Sequence, residues 1–115
     1  MGKITKIEII TRQSKFEELK EALNAIGITG MTVTHVLGCG LQKGKTEIYR
    51  GSKFKIDLLP KVKVEIVVHT VPVQDVVDTA QKVLRTGQIG DGKIFISSID
   101  NVIRVRTGEQ GGDAL

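Results

Sequence analysis

Apolar residues along this chain recur first every second position, then every third or fourth, and the switches mark its elements. From Ile4 to Thr11, Ile7 and Ile9 fall on one side of a period-two pattern, and Lys6, Glu8 and Ile10 on the other. That alternation predicts a strand. Ser14-Lys15-Phe16-Glu17 has the form of a capping box, in which Ser14 accepts from an early helical N–H and Glu17 reaches back. Phe16, Leu19, Leu23 and Ile26 follow at helical spacing, and Gly27 supplies a left-handed stop. Met31, Val33, His35 and Leu37 alternate with Thr32, Thr34 and Val36, predicting a second strand that Gly38 and Gly40 break. Residues 38 to about 57 are rich in glycine and in lysine or arginine, with little periodicity. A connection this long in a compact domain is usually functional or disordered. Val62, Val64, Ile66 and Val68 predict a third strand, with Lys63, Glu65 and Val67 on its other side. Pro72 opens a second helix. Val73, Val76, Val77, Ala80, Val83 and Leu84 form its stripe, and Gly87 ends it. Ile94 to Ile99 predict a fourth strand, and Val102 to Arg106 a further short one.

The order β-α-β, loop, β-α-β predicts an α+β fold, a ferredoxin-like split βαβ sandwich (βαββαβ) over residues 1–107. A long loop separates strands two and three, a short extra strand lies near the carboxyl end, and residues 108–115 form a patternless, flexible tail. Two helices cover one face of such a sheet. The other would hold Ile10, Val36, Val67 and Phe95 among Lys6, Glu8, Thr34, Lys63 and Glu65. We expect that mixed face to be covered by self-association with closed symmetry. Glu8 and Glu65 are expected to pair with Lys6 and Lys63 across the sheet rather than to act as acid and base.

Composition narrows the picture. A chain of 115 residues suits one domain. Phe16, Phe54, Phe95 and Tyr49 are its aromatics, so the core is aliphatic. The net charge of +4 suits an anionic ligand or partner, though an ordinary basic surface explains it equally well. Cys39 is the lone cysteine, which fits a reducing compartment. No apolar run is long enough for a signal peptide or a membrane span, and a cytoplasmic location is expected.

Candidate chemistry centres on Thr86-Gly87-Gln88-Ile89-Gly90-Asp91-Gly92-Lys93, between a helix and a strand. Glycines let successive N–H groups turn toward one point and form an anion nest, with Lys93 adding a cation. No G-K-[ST] opens a helix here, so it is not a Walker loop. A plain turn would use the same glycines. Arg104 and Arg106, two apart on the expected last strand, would share a face, and paired guanidinium forks suit a phosphate chain. A charged edge strand that blocks aggregation is the rival explanation. The long loop, with Gln42, Lys43, Lys45, Tyr49, Arg50, Ser52, Lys53 and Lys55, is either a solvated basic segment or a contact arm. No catalytic set emerges. His35 and His69 are apart in sequence, Cys39 lacks an orienting third group, and no metal spacing is present.

Gly27-Ile28-Thr29-Gly30-Met31-Thr32-Val33-Thr34, Gln42-Lys43-Gly44, Glu47-Ile48-Tyr49-Arg50-Gly51, Leu59-Pro60-Lys61-Val62-Lys63, Gly90-Asp91-Gly92-Lys93-Ile94-Phe95 and Ile103-Arg104-Val105-Arg106-Thr107-Gly108 together resemble the PII nitrogen-regulatory signalling proteins. The resemblance runs through nearly the whole chain, in order and at the family's spacings. It implies a non-enzymatic homotrimer whose sheets line the centre and whose clefts between subunits take ATP or ADP. By the resemblance, Gly90, Asp91, Gly92 and Lys93 hold phosphates, with Arg104 and Arg106 completing the grip. Thr32 and Val67 would contact adenine, with further nucleotide contacts from Gly40, Leu41 and Gln42. In such proteins 2-oxoglutarate joins Mg-ATP. Here Gln42 would ligate the metal, Lys61 would hold a carboxylate, and Lys43 and Ile89 would line the same site. The loop over 40–57, with Lys45, Tyr49, Arg50, Ser52 and Phe54, would dock on an ammonium channel, a nitrogen transcription regulator or an assimilation enzyme. No direct nucleic-acid contact is implied, and a membrane only through a channel partner.

Two positions depart from the family pattern. Phe54 stands where many members carry a uridylylated tyrosine, so no uridylylation is expected; Ser52 falls at a position phosphorylated in some. Leu41 replaces an arginine that touches phosphate, which shifts the expected grip toward Lys93 and Arg106. A PII-like sensor of another nucleotide or metabolite is the runner-up. An RNA-recognition module shares the element order, but Val62 to Val68 lacks the aromatics on which bases stack. A small phosphotransferase or acylphosphatase also shares it, without a placed catalytic set.

Overall fold

The computed structural model describes residues 3–42 and 55–115, with the backbone alone at 40–42 and 55–57. Strand β1 (Ile4–Arg12) leads through a 3-10 turn (Gln13–Lys15) into helix α1 (Phe16–Ala25). Strands β2 (Thr32–Gln42) and β3 (Lys55–Val68) follow, then helix α2 (Val73–Leu84), strand β4 (Lys93–Ile99) and a closing 3-10 turn (Gly111–Ala114). The sheet order is β2-β3-β1-β4, with every neighbouring pair antiparallel. Four strands with both helices on one face make the ferredoxin-like α+β arrangement.

The core lies between the helices and the central strands. Ile7 and Ile9 of β1 and Val62, Val64 and Ile66 of β3 are almost wholly buried, against Leu19 and Leu23 of α1 and Val76 and Ala80 of α2. Helix α1 ends as its sequence dictates. Gly27 takes φ +98°, its N–H reaches the Asn24 carbonyl at 3.1 Å, and the Ile28 N–H reaches that of Leu23 at 3.1 Å. This is a Schellman stop, and buried Ile28 supplies its apolar contact. On the opposite face, Lys6 pairs with Glu65 at 2.7 Å and Lys63 with Glu8 at 3.8 Å, as the alternation implied. The Glu65 hydrogen bond and charge raise the Lys6 pKa, and the Lys6 hydrogen bond holds Glu65 below the usual carboxylate range.

Several sequence expectations need correction. The capping box does not form: Ser14 sits inside the first 3-10 turn, and α1 starts without a side-chain cap. Helix α2 stops at Leu84, before Gly87, with Arg85 extended. Gly38 and Gly40 do not break β2, which continues to Gln42 paired with Lys55. Gly38 instead marks a close approach, since a Cβ there would lie 3.0 Å from Lys61 Cγ. Pro60 is tolerated in this ribbon because the β1 register ends at Lys61, leaving β3 a partner on one side only. The short last strand reduces to one bridge, Ile103 to Gln110, around a turn at 105–107. The segment after it is folded back, with Ala114 buried.

Candidate functional site

The glycine loop is anchored from inside. The Asp91 carboxylate accepts from the Thr86 hydroxyl, the Thr86 N–H at 2.7 Å, the Gly87 N–H at 2.9 Å and Arg12 Nη2 at 3.2 Å. These donors, Thr86 foremost, hold its pKa below the ordinary carboxylate value against a desolvation penalty. From below, the Thr11 hydroxyl donates to the Asp91 carbonyl at 2.9 Å. Arg12 Nη2 also reaches the Ile89 carbonyl at 3.4 Å, and Lys61 Nζ that of Gly90 at 3.3 Å. Arg12 and Lys61 face each other across the β1–β3 register, so the sheet itself aims both cations at the loop.

Two of its glycines are obligatory. Gly92 has φ +105°, and a Cβ there would come within 2.0 Å of the Ile10 carbonyl oxygen. Gly90 has φ +104° and lies under Arg12. No described residue accepts from the backbone N–H of Gly90 or Asp91, while their carbonyls are engaged by Lys61 and Thr11. With exposed Lys93 beside them, these amides can receive an anion. The Asp91 side chain, by contrast, is committed to its own loop.

The other expected contacts lie elsewhere. Thr32 and Val67 line a cavity of about 570 Å³ at the opposite end of the sheet, which Gly112 and Leu115 also wall. A smaller cavity, about 420 Å³ between α2 and β4, touches Asp91, Gly92 and Lys93. Arg104 belongs to the far end: its Nη1 donates to Glu109 Oε1 at 2.9 Å and its Nη2 to the Leu115 main-chain oxygen at 2.9 Å. Arg106 is exposed in the turn, so the two arginines do not share the face of a strand. Lys93 pairs with Ile10 and Ile99 with Ile4, so β4 separates Lys93 from the arginine segment by about 20 Å.

Within one end the gathering is also partial. Lys61 and Ile89 come together around the Arg12 and Gly90 contacts. Gln42 does not join them along the extended ribbon: Val36 faces Lys61, and Gln42 lies six positions further on (42 − 36), about 20 Å along an extended strand. The backbones of Gly40 and Leu41 lie on that same ribbon. Lys43, Lys45, Tyr49, Arg50, Ser52 and Phe54 fall outside the described residues. Thr11 and Arg12 were not singled out by sequence, and Thr86 only as the first residue of the glycine loop. No spacing connects Arg12 to residues 89–91, and only the strand register could have revealed it. Of the histidines, His35 Nδ1 lies 2.9 Å from Gln13 Nε2, and His69 Nδ1 is buried with no partner among the described residues.

The chain is thus a small ferredoxin-like fold with a braced glycine loop at one end and a cavity at the other. The family model described as nitrogen regulatory protein P-II matches residues 4–109. The nitrogen regulatory PII-like protein of Bacillus subtilis is 52% identical over 114 residues, covering 99% of this chain and 98% of that protein. Nitrogen regulatory protein P-II 2 of Methanothermobacter thermautotrophicus is 57% identical over 109 residues, 95% of each. Among solved structures, the Bacillus subtilis GlnK–ATP complex superposes with a TM-score of 0.85 at 47% identity, covering 99% of this chain and 97% of that one. The chain belongs to the P-II family of nitrogen regulatory proteins. It is a regulatory signalling protein, not an enzyme.

Proposed function

We propose that this protein is a cytoplasmic homotrimeric sensor that binds ATP or ADP in clefts between copies and takes 2-oxoglutarate beside Mg-ATP. The observation that carries this reading is the split of the nucleotide set. Gly90, Gly92 and Lys93 stand at one end of β4; Thr32, Val67, Arg104 and Arg106 stand at the other. A single chain cannot close both halves on one nucleotide, whereas a neighbouring copy can supply the missing half. Exposed apolar groups support such assembly: Phe95 is 48% exposed, Ile103 60% and Val105 97%. The GlnK relative solved with ATP supports the choice of ligand.

With ATP bound, Mg2+ would take phosphate oxygens and water and need few protein ligands, which fits Gln42 as its one side-chain donor. Among the described residues no cluster of three His, Cys, Asp or Glu forms a separate metal cage. Lys61, already aimed at the glycine loop, would hold a 2-oxoglutarate carboxylate there. Bringing Gln42 to that point requires the end of the β2–β3 ribbon to fold back. That movement gives ligands two loop states to bind unequally. A coupling of about 1–3 kcal/mol would change partner affinity 5- to 150-fold. The partner, an ammonium channel, a transcription regulator or an assimilation enzyme, would be gripped through the loop, Lys45, Tyr49, Arg50, Ser52 and Phe54 among its contacts.

The test uses subunit mixing. Lys93→Ala and Arg104→Ala each damage a different half of the cleft, so each homo-oligomer should bind ATP weakly in calorimetry. Mixed and re-equilibrated, the two should regain tight sites where the intact halves meet. Failure of the mixture to exceed its parents, or no ATP uptake by wild type at millimolar concentration, would refute the reading. Calorimetry with ATP, ADP and 2-oxoglutarate then ranks the ligands.

A further inference from the structure

Arg104 already has an occupant. Its fork grips two oxygens, Glu109 Oε1 and the Leu115 main-chain oxygen, both at 2.9 Å. The Glu109 oxygen is charged, and the two oxygens sit on separate nitrogens, much as two oxygens of a phosphate would. The segment that delivers them is held in place. Asn101 Oδ1 accepts from the N–H groups of Val102 and Gly111, and its amide donates to Gln110 Oε1. The Thr107 hydroxyl donates to Glu109 Oε1 at 2.9 Å, fixing that carboxylate from a second side. Further on, Gly112 lies so close to His69 that a Cβ there would overlap the imidazole ring. Gly112 and Leu115 wall the cavity that Thr32 and Val67 line.

We propose that residues 109–115 are a built-in competitor of the nucleotide phosphate, with Glu109 as the competing anion on Arg104. This rests on the reading of Arg104 as a phosphate ligand. Before Arg104 can swing toward a neighbouring copy's glycine loop, Glu109 and the Leu115 oxygen must release it. A site whose competent form is only partly populated binds with an apparent Kd raised by that fraction. The hold is adjustable rather than absolute, because the Arg104 and Glu109 side chains are 34% and 46% exposed and water weakens such pairs. Gly108 and Gly111, at φ +75° and +71°, flank Glu109 and Gln110 and provide swivel points for the release.

The experiment titrates the full chain, its Glu109→Gln variant and a chain ending at Gly111 with ATP, inorganic triphosphate and adenosine. Glu109→Gln should tighten ATP and triphosphate by about 1.5- to fivefold, the scale of an exposed ion pair, and leave adenosine unchanged. The shortened chain should tighten triphosphate as well, since Nη2 is freed. Combined with Arg104→Ala, Glu109→Gln should have no effect. Unchanged or weaker triphosphate binding in either variant, or a Glu109→Gln gain that persists without Arg104, overturns the proposal. Wild type that takes up no ATP would instead refute the nucleotide reading beneath it.

Discussion

Replacing Gly92 by alanine should be the most damaging single-methyl change in the glycine loop. The new Cβ would sit 2.0 Å from the Ile10 carbonyl oxygen and 3.0 Å from the Ile10 carbonyl carbon and Thr11 Cα, all backbone atoms that cannot rotate away. An ordinary contact needs more than an ångström of extra separation, so β1 and β4 must part where Ile10 pairs with Lys93. A non-glycine residue at positive φ costs about 1–3 kcal/mol, and each ladder hydrogen bond lost adds about 0.5–1.5 kcal/mol. With two such bonds lost the total is about 2–6 kcal/mol, a large part of the 5–15 kcal/mol typical of a domain. At roughly 4 °C per kcal/mol for a chain this size, Tm should fall by about 8–24 °C. Gly87→Ala provides the control. Gly87 has φ +84° but no atom of the described residues within 4 Å of its would-be Cβ, so it should lose only the strain, about 1–3 kcal/mol. Thermal and urea unfolding at one fixed protein concentration measures both, since assembly makes Tm depend on concentration. A Gly92→Ala chain no less stable than Gly87→Ala would show that the contact with β1 does not constrain the loop.

Further expectations concern the anchor, the core and the assembly. Because the folded Asp91 pKa is depressed, its stabilisation is present above the unfolded value near pH 4 and lost as pH falls through the folded value; Asp91→Asn should weaken the protein at pH 7 and flatten this acid loss in urea titrations at stepped pH. Leu23, fully buried beneath the Schellman stop, should cost about 2–5 kcal/mol when cut to alanine, and a loss under 1 kcal/mol in chemical denaturation would contradict the packing. Tripling salt should weaken the half-buried Lys6–Glu65 and Lys63–Glu8 pairs on the sheet face, yet move the unfolding midpoint by less than Leu23→Ala does.

Much of the fold was legible because its signals are local. The stripe from Phe16 to Ile26, the alternation of Ile7 and Ile9 with charges, and Gly27 each depend on neighbours within a turn or two. Where tertiary pairing decided, the local signs misled. Gly38 and Gly40 carry the composition of a break, yet pairing with β3 keeps them extended. Ser14 and Glu17 have the right spacing for a cap, yet the chain tightens into a 3-10 turn first. Arg104 and Arg106 follow a period of two that a turn at 105–107 cancels. The glycine loop stood out as a candidate anion nest from its residues, but its bracing by Thr11, Arg12 and Lys61 exists only through strand register. That Asp91 faces inward could not be read from its position among the glycines.

The separation of Lys93 from Arg104 along β4 also fixes how damage would spread in a closed ring of copies. If each cleft draws one half from each of two neighbours, as proposed, a lesion in one half disables a fraction of clefts equal to the fraction of altered subunits. A subunit crippled in both halves spoils the clefts on either side of it, and intact sites then decline as the square of the healthy fraction. Dilution curves of mixed populations, linear for one kind of lesion and quadratic for the other, would reveal the wiring of the ring without an image of it.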